Sequence, residues 1–500
     1  MLFPATESRP LQNLGKIFLG LALAQGAAAA QWTTSAGVGT SLVYTDNACL
    51  SESAEQDEVY ATVTPRAGIS GEGRRANVAL SASITANSLT DSRLEDLGCT
   101  PAGAGRDDYF PRINGSAYAE LIEQWLYIDA SLNVSQNSVN PFAPGAGDPQ
   151  DRTGNTNTTY RYAVSPYVSR QFKDVANLLL RYRWSDQYNS KDVVGDSARE
   201  NVRFLLDSVP GTSSLSWGLQ ADYDNIEYEE RGDRPASNSE LKSAQVNLGY
   251  QLNRHWQVNG YAGEEWNDFV SLNDEIDGSY WDVGVRWTPN SRTVVDVGTG
   301  DRFFGSTPRF SAQYYHKRST LSASYARTLS YDRNIRTLDG FFPEDFPIFL
   351  FDPETGEFFQ LDGAPTTISN SPIVDERFRL AYSYQGRRSN FSVAASQSEQ
   401  RRLEDGRDST FRGVVVSLNR NLSSTWTATG TVSWDEREPL GERSESVNQS
   451  ETWRLRLSAD RPITDWINFV LSYQYTDRQS EQASQQYQEN RITATLRFTF

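Results

Sequence analysis

Arginine recurs at two-residue spacing in segments whose intervening residues are apolar; Arg377 and Arg379, for example, flank Phe378. Guanidinium groups bind anions through paired hydrogen bonds, so such rows could line a conduit that attracts anions. The alternative is that they pair with acids on the same face, such as Asp282 and Asp296, and stiffen a wall. The candidate arginines are Arg161, Arg181, Arg183, Arg286, Arg377, Arg379, Arg454, Arg456, Arg491 and Arg497.

Nucleophilic catalysis has few candidate residues in this chain. A Ser–His hydrolase needs a histidine beside its serine and a polar group that orients the ring. Only His255 and His316 are present, and the topology derived below places both at the periplasmic end. We therefore predict no catalytic residues, although a carboxylate pair for glycoside hydrolysis would not need histidine.

Acidic residues cluster between the segments, as in Glu52–Glu58, Glu227–Asp233 and Asp352–Glu357. Clustered carboxylates can hold Ca²⁺ or bridge to lipopolysaccharide phosphates through divalent cations. No cluster matches a defined calcium-loop spacing, so we interpret them as solvated loops and predict no metal or cofactor. The net charge of −17 excludes nucleic acid as a partner, because phosphate binding needs clustered basic residues.

The arginine-bearing segments predict transmembrane β-strands. Apolar and polar residues alternate over about ten to fourteen positions, as in strands with one face on lipid and the other on a lumen. An arginine facing lipid at the bilayer midplane costs about 2–4 kcal/mol, so the arginine face must be the interior. In the last segment, Ile492, Ala494, Leu496, Phe498 and Phe500 share one face, and Arg491, Thr493, Thr495, Arg497 and Thr499 share the other.

About 22 such segments follow one another, joined alternately by short and long connections. Short periplasmic turns and long outer loops are typical of outer-membrane barrels, and an even strand number returns the C-terminus to the periplasm. The outer connection at Gly305–Thr307 is unusually short and is where the count could be wrong by two. We predict an all-β fold: a single transmembrane antiparallel β-barrel over residues 31–500.

The N-terminal residues 1–30 predict a secretory signal peptide. Arg9 and Lys16 precede the apolar run Ile17–Ala24, and Ala28–Ala30 offers a cleavage site. Tryptophans divide between short turns and long loops, as in the two aromatic girdles of a barrel. These features place the protein in the outer membrane of a Gram-negative bacterium, in contact with lipid and lipopolysaccharide.

Cys49 and Cys99 fall in the first two predicted outer loops, and export to an oxidising compartment permits a disulfide between them. Free thiols are the alternative, while two sulfurs without nearby histidine make a poor metal site. Phe498 and Phe500 close the last strand with aromatic side chains, which predicts recognition by the barrel-assembly machinery.

The connection 334–374 is long and rich in phenylalanine, from Phe341 to Phe359. Long loops without structure of their own are commonly functional, and exposed apolar patches mark contact surfaces. We expect this loop to be a lid over the mouth, a constriction inside it, or a docking surface.

Several stretches resemble an uncharacterised family of outer-membrane proteins found with the exosortase (PEP-CTERM) sorting system, often beside exopolysaccharide genes. The resemblance is carried by residues 120–144, 153–166, 300–325 and 487–500, and most specifically by Gly300–Gly305 and the C-terminal strand. The two cysteines are not a feature of that family, and it has no established catalytic residues to carry over.

The resemblance implies a non-enzymatic barrel that supports export of exopolysaccharide, biofilm matrix or surface proteins, with polysaccharide-export components as partners. The alternative is a porin-like diffusion channel with an arginine-lined lumen. An outer-membrane enzyme acting on surface polymer is the third and least favoured hypothesis.

Overall fold

The computed structural model describes residues 31–99, 109–138, 140, 142–144, 155–191, 195–230, 235–330, 349–351, 358–360, 372–440 and 448–500. The predicted signal peptide and most of the loop 334–374, including Phe341, Phe342 and Phe346, lie outside these residues. In the described part of the chain, no helix is long and apolar enough to cross a bilayer.

The structure consists almost entirely of strands. The first half contains β1 (Gln31–Thr45), β2 (Glu58–Glu72), β3 (Ala76–Asn87), β4 (Tyr109–Ile122), β5 (Leu126–Ser138), β6 (Thr156–Phe172), β7 (Ala176–Asn189), β8 (Ser197–Ser208), β9 (Leu215–Tyr228), β10 (Ser237–Asn253), β11 (Trp256–Asp268) and β12 (Gly278–Asn290). The second half contains β13 (Thr293–Arg302), β14 (Gly305–Ser306), β15 (Arg309–His316), β16 (Ser319–Ser330), β17 (Phe349–Phe351), β18 (Phe358–Gln360), β19 (Ile373–Gln385), β20 (Ser389–Arg402), β21 (Asp408–Asn421), β22 (Thr427–Leu440), β23 (Ser450–Thr464), β24 (Ile467–Ser480) and β25 (Tyr487–Thr499). A short helix, α1 (Asp91–Asp96), and a 3-10 turn (Ala483–Gln485) lie in outer loops.

Each barrel strand pairs antiparallel with its neighbours in sequence, and β25 pairs with β1 to close the ring, with Ile492 opposite Tyr44. β14 only extends the hairpin of β13, and β17 and β18 form a separate two-stranded sheet. The remaining 22 strands form a closed antiparallel barrel, which confirms the predicted fold class. The strand count agrees with the prediction of about 22 segments, because alternation is visible over the whole length of a strand.

The short connection between β13 and β15 does not change the strand count. Asp301 pairs with Ser306 and Arg302 with Gly305, so that Phe303 and Phe304 form the tip of a tight hairpin. Gly305 has a φ of +99°, a left-handed conformation that residues with a Cβ rarely adopt. The uncertainty in the predicted count therefore came from a real hairpin that is shorter than its neighbours.

The two faces of the wall carry different residues, as predicted for a barrel in a membrane. Leu42 and Leu496 point outward and are exposed, whereas Ser41 and Thr495 point inward and hydrogen-bond to each other at 2.9 Å across the closing seam. Trp256 and Trp287 stack at the end with short turns, and Trp434 lies beside Trp453 near the long loops. The protein is thus an outer-membrane barrel with an aromatic girdle at each interface.

The first two outer loops fold against each other. Cys49 and Cys99 form a disulfide with 5.2 Å between their Cα atoms. Around the bridge, Leu94 of α1 packs with Val43 and other buried residues of the two loops. The side chain of Thr90 caps the N-terminus of α1. This covalent link lies on the outer side, and the seam between β1 and β25 is held separately by backbone pairing and side-chain hydrogen bonds.

Candidate functional site

All ten candidate arginines occupy inward positions of their strands. In β19, for example, the outward residues Phe378 and Leu380 are exposed to the lipid side while Arg377 is buried in the interior. The same alternation places Arg491 and Arg497 of β25 inside. The candidate site is therefore the lumen and its outer mouth, and the inward arginines divide between two walls of different character.

The first wall, which we call the paired wall, is the inward face of β5 to β15. Six inward arginines of this face contact a carboxylate on a nearby strand, whereas Arg161 donates a hydrogen bond to the side-chain oxygen of Gln187 at 2.8 Å. The pairs are Arg181–Asp129, Arg199–Asp224, Arg203–Asp222, Arg286–Asp296, Arg302–Glu265, Arg309–Asp282 and Arg309–Asp296. On this wall the arginines neutralise inward acids, which was the structural alternative for Asp282 and Asp296.

Arg309 was not among the predicted site residues, although it is the centre of the paired wall. Its guanidinium contacts both Asp282 and Asp296 and lies over Gly284 and Gly298. A Cβ on Gly298 would come within 2.7 Å of the guanidinium carbon, so any other residue there would force the guanidinium to shift from its position on the two acids. The sequence does contain glycines at inward positions of adjacent strands. They indicate the position of the Arg309 side chain only once the strand register is known.

The second wall, which we call the arginine wall, is the inward face of β19 to β25. It carries more arginines than acids. Among the residues that the structure describes, the inward arginines of these strands are Arg377, Arg379, Arg402, Arg437, Arg454, Arg456, Arg478, Arg491 and Arg497, and the inward acids are Asp375, Asp435, Asp460 and Glu489. Arg437 and Arg478 were missed from the sequence because they lie at the outer ends of strands, where the alternating pattern runs into loop residues. The structure thus gathers a local surplus of positive charge on one side of the lumen.

Asp435 is the acid at the centre of the arginine wall. It contacts Arg437 at 2.9 Å and Arg454 at 2.7 Å, and Arg478 interacts with the same charges from the adjacent strand. Further along, Arg377 forms an ion pair with Asp375, which also accepts a hydrogen bond from Ser398 at 2.6 Å. These contacts hold the guanidinium groups in fixed positions against the wall.

An outer loop crosses the lumen to reach the arginine wall. Asn140 and Asn155 exchange hydrogen bonds of 2.8 and 2.9 Å at the base of the loop between β5 and β6. From there Phe142 stacks on Phe411 of β21, with 5.7 Å between ring centroids, and its carbonyl oxygen accepts a hydrogen bond from Arg478 of β24. We call the described residues 140 and 142–144 the crossing loop. It spans the mouth between strands that lie on different sides of the barrel.

A second bridge covers the short β13–β15 hairpin. Phe269 of the loop after β11 packs with Leu403 of the loop after β20 and with Phe303 of the hairpin tip. The backbone N–H of Leu272 donates to the carbonyl oxygen of Leu403 at 2.8 Å. In the part of the chain that the structure describes, outer loops therefore tie distant strands together above the lumen.

The other predicted features lie away from this site. Both histidines lie at the end with short connections, where His316 is the last residue of β15 and His255 is in a turn, with its Nδ1 at 2.8 Å from the carbonyl oxygen of Thr288. Phe500 is exposed on the last strand, and Phe498 packs beside Trp466. Among the described residues no group of three His, Cys, Asp or Glu side chains is placed to hold a metal ion. The part of the loop 334–374 that is described forms the small sheet of β17 and β18.

The barrel is similar to solved structures of iron-uptake proteins. The siderophore receptor PirA from Acinetobacter baumannii matches 93% of this chain over 80% of its own length, with a TM-score of 0.54 and 10% identity. The FrpB iron transporter from Neisseria meningitidis matches 93% over 81%, with a TM-score of 0.53 and 11% identity. A ferric enterobactin receptor from Pseudomonas aeruginosa in complex with enterobactin matches 93% over 81%, with a TM-score of 0.52 and 10% identity. The chain shares their barrel fold.

This likeness corrects the function expected from the sequence. The similar structures are receptors and transporters for iron or siderophores, which contradicts the expected support of exopolysaccharide, matrix or surface-protein export. It contradicts the porin-like alternative as well, and none of these structures is an enzyme by its description. The expectation of export was wrong because it rested on the resemblance to the exosortase-associated family, which carries no information about the lumen.

No family model and no curated protein matches the chain. The resemblance to the exosortase-associated family therefore stays a prediction.

Proposed function

We propose that this protein is a non-enzymatic uptake barrel that brings a small anionic ligand, of the ferric-siderophore kind, across the outer membrane. The observation that carries the proposal is the surplus of arginine on one inward wall of a 22-stranded barrel. Barrels of this strand number are found among outer-membrane transporters, whose lumen is filled rather than open. The similar solved structures supply the ligand class, since they are siderophore receptors and an iron transporter.

The charge distribution supports an anionic ligand. On the paired wall six guanidinium groups face carboxylates, so the field of these pairs is largely cancelled at a distance. On the arginine wall, Asp435 is shared between Arg437 and Arg454, so one carboxylate faces two guanidinium groups. A low-dielectric wall with unequal charge attracts anions and raises their local concentration. The interior therefore suits a negatively charged ligand better than a neutral or cationic one.

The covered mouth supports selective uptake. The crossing loop and the bridge between Leu272 and Leu403 both have to move before a bulky ligand can pass. A ligand can drive such a change only by as much as it binds the open state better than the closed one. We therefore propose that ligand binding at the mouth and loop movement are coupled.

The partners proposed for this function are the surrounding lipid and lipopolysaccharide and the barrel-assembly machinery. The machinery would bind the C-terminal strand, where Phe498 faces lipid and Phe500 is 74% exposed. The aromatic side chains at the end of β25 are accessible before the seam with β1 forms, so the machinery could bind them during assembly.

The test is uptake of radioactive iron, supplied as ferric enterobactin, by Gram-negative cells that lack their own siderophore receptors and express this protein. We expect saturable uptake that exceeds the empty-vector background. Arg454→Gln combined with Arg456→Gln should reduce it by about tenfold or more, since a charge-assisted hydrogen bond contributes about 1.5–3 kcal/mol.

The matched control is Arg181→Gln combined with Arg203→Gln, which removes two arginines from the paired wall. It should leave uptake within about twofold of the unchanged protein, because these side chains face carboxylates. Uptake at background level, or an equal loss in the two double variants at equal surface expression, would contradict the proposal.

A further inference from the structure

Phe142 makes two contacts on the arginine wall that a ligand could make in its place. Its ring stacks on Phe411, and its carbonyl oxygen accepts a hydrogen bond from Arg478. The strand register puts both partners on one inward patch that extends over four strands, from Phe411 on β21 to Arg478 on β24, with Arg437 and Thr452 on the strands between them. Phe142 reaches both the aromatic face and the cationic donor, so the chain itself fills the position between them.

The same patch contains buried hydroxyl groups without partners. Thr452 is 0% exposed and Ser450 is 2% exposed, and neither hydroxyl oxygen forms a hydrogen bond. Both are on β23, beside Arg478 and Arg437 in the register. Buried polar atoms are nearly always hydrogen-bonded, so two neighbouring exceptions indicate a place where a polar group of a ligand fits.

Arg478 is the cation available to such a ligand. It is 3% exposed, and its hydrogen bonds go to the carbonyl oxygens of Gln485 and Phe142, which are neutral acceptors. Among the described residues it forms no ion pair, since Asp435 is held by Arg437 and Arg454. An anionic oxygen is a stronger acceptor for a guanidinium than a neutral carbonyl, so it would compete well for this position.

We propose that Arg478, Phe411, Ser450 and Thr452 form a binding site for an aromatic oxyanion, such as a ring-borne carboxylate or catecholate. The ring of the ligand stacks on Phe411 and its charged oxygen binds Arg478, while Phe142 is an internal occupant that the ligand displaces. This site rests on the proposed uptake function, for which it specifies a class of substrate. Ligand binding to the site can nevertheless be measured without transport.

The test uses the full barrel in lipid nanodiscs, titrated with 2,3-dihydroxybenzoate by calorimetry. Cyclohexanecarboxylate and benzamide serve as probes that lack the aromatic ring or the charge, and both should bind at least about tenfold more weakly. Arg478→Met should weaken binding of 2,3-dihydroxybenzoate by about tenfold or more. Phe411→Leu, which keeps the apolar volume but removes the aromatic face, should weaken it by severalfold.

Phe142→Ala gives the decisive result, because it should tighten binding. An internal occupant reduces the apparent affinity by the fraction of molecules in which the site is open, so removing it should raise affinity on the order of five- to tenfold. A residue that only packs the mouth would have no such effect. Arg203→Met, on the paired wall, is the control and should leave binding unchanged.

Two results would overturn the site: equal affinity for 2,3-dihydroxybenzoate and cyclohexanecarboxylate, or a Phe142→Ala barrel that binds no more tightly while its heat-modifiable migration shows that it is folded. Binding with the expected pattern in a protein that fails the iron-uptake test would support the site and contradict the uptake function. Uptake without binding of these probes would contradict the site alone.

Discussion

The backbone carbonyl of Phe142 accepts a hydrogen bond from the side chain of Arg478, although the two residues are 336 positions apart in the chain. One belongs to the loop between β5 and β6 and the other to the outer end of β24, so the contact crosses the mouth of the barrel. A buried arginine that binds a loop carbonyl holds the loop across the opening, and the stack of Phe142 on Phe411 adds a second attachment.

We expect Phe142→Ala to loosen the mouth. The substitution removes the aromatic stack, which contributes about 0.5–1.5 kcal/mol beyond its buried area, and leaves only the backbone contact to Arg478. Single-channel recordings in planar bilayers should then show openings that are larger or more frequent than those of the unchanged barrel. Phe269→Ala should have a smaller effect, because Phe269 packs in the separate cluster over the β13–β15 hairpin. Identical conductance traces for Phe142→Ala and the unchanged protein would show that the crossing loop does not limit the opening.

Removing the Cys49–Cys99 bridge should destabilise the outer loops without unfolding the barrel. The bridge closes a segment of 50 residues, and a disulfide of that kind contributes about 2–4 kcal/mol. We therefore expect Cys49→Ser with Cys99→Ser to make residues near α1 more sensitive to protease. The heat-modifiable band should persist, because β1 and β25 are joined by their own backbone pairing.

Reducing agent provides the control for that experiment. It should reproduce the protease sensitivity in the unchanged protein and have no further effect on the double serine variant. A double variant that is as resistant to protease as the unchanged protein would mean that the packing of Leu94 against Val43 is sufficient to hold the loops.

Strand number, closure and the inward direction of the arginines could be predicted from the sequence because alternation with a period of two is a local property. The division of those arginines between two walls could not, since it depends on which acids face the same lumen. Arg286 and Arg454 look alike in sequence, yet Arg286 and its neighbour Arg309 face two acids, Asp282 and Asp296, whereas Arg454 shares Asp435 with Arg437. The contacts of the crossing loop could not be predicted either, because nothing near Phe142 in the sequence indicates that its ring stacks on Phe411. Loop contacts over such separations depend on the closed ring, which exists only after the barrel has formed.

The close packing of the Arg309 guanidinium on Gly298 predicts that a small substitution at this glycine lowers the stability of the barrel. A Cβ at Gly298 would displace the guanidinium from Asp282 and Asp296, both of which are buried. Breaking a buried ion pair on one side costs about 3–5 kcal/mol, so Gly298→Ala should lower the urea midpoint of unfolding markedly. The matched control is Gly413→Ala on the arginine wall, whose added Cβ meets its nearest atom at 3.5 Å, an ordinary contact. Equal urea midpoints for the two variants would contradict the proposed role of Gly298 in making room for the Arg309 guanidinium.

The C-terminal phenylalanine should matter for assembly and not for the stability of the assembled barrel. Phe500 is 74% exposed, and its backbone N–H donates to the carbonyl oxygen of Ala36 at 2.8 Å, a bond that does not depend on the side chain. Phe500→Ala should therefore refold in detergent with an unchanged urea midpoint, while the amount of folded barrel in cell membranes falls severalfold. Substitution of another exposed aromatic residue, Trp281→Ala, is the control for general loss of lipid-facing area and should reduce stability more than assembly. If Phe500→Ala lowered the midpoint in detergent to the same extent as the membrane level, its effect would be on the folded barrel, and the proposed recognition by the assembly machinery would lose its support.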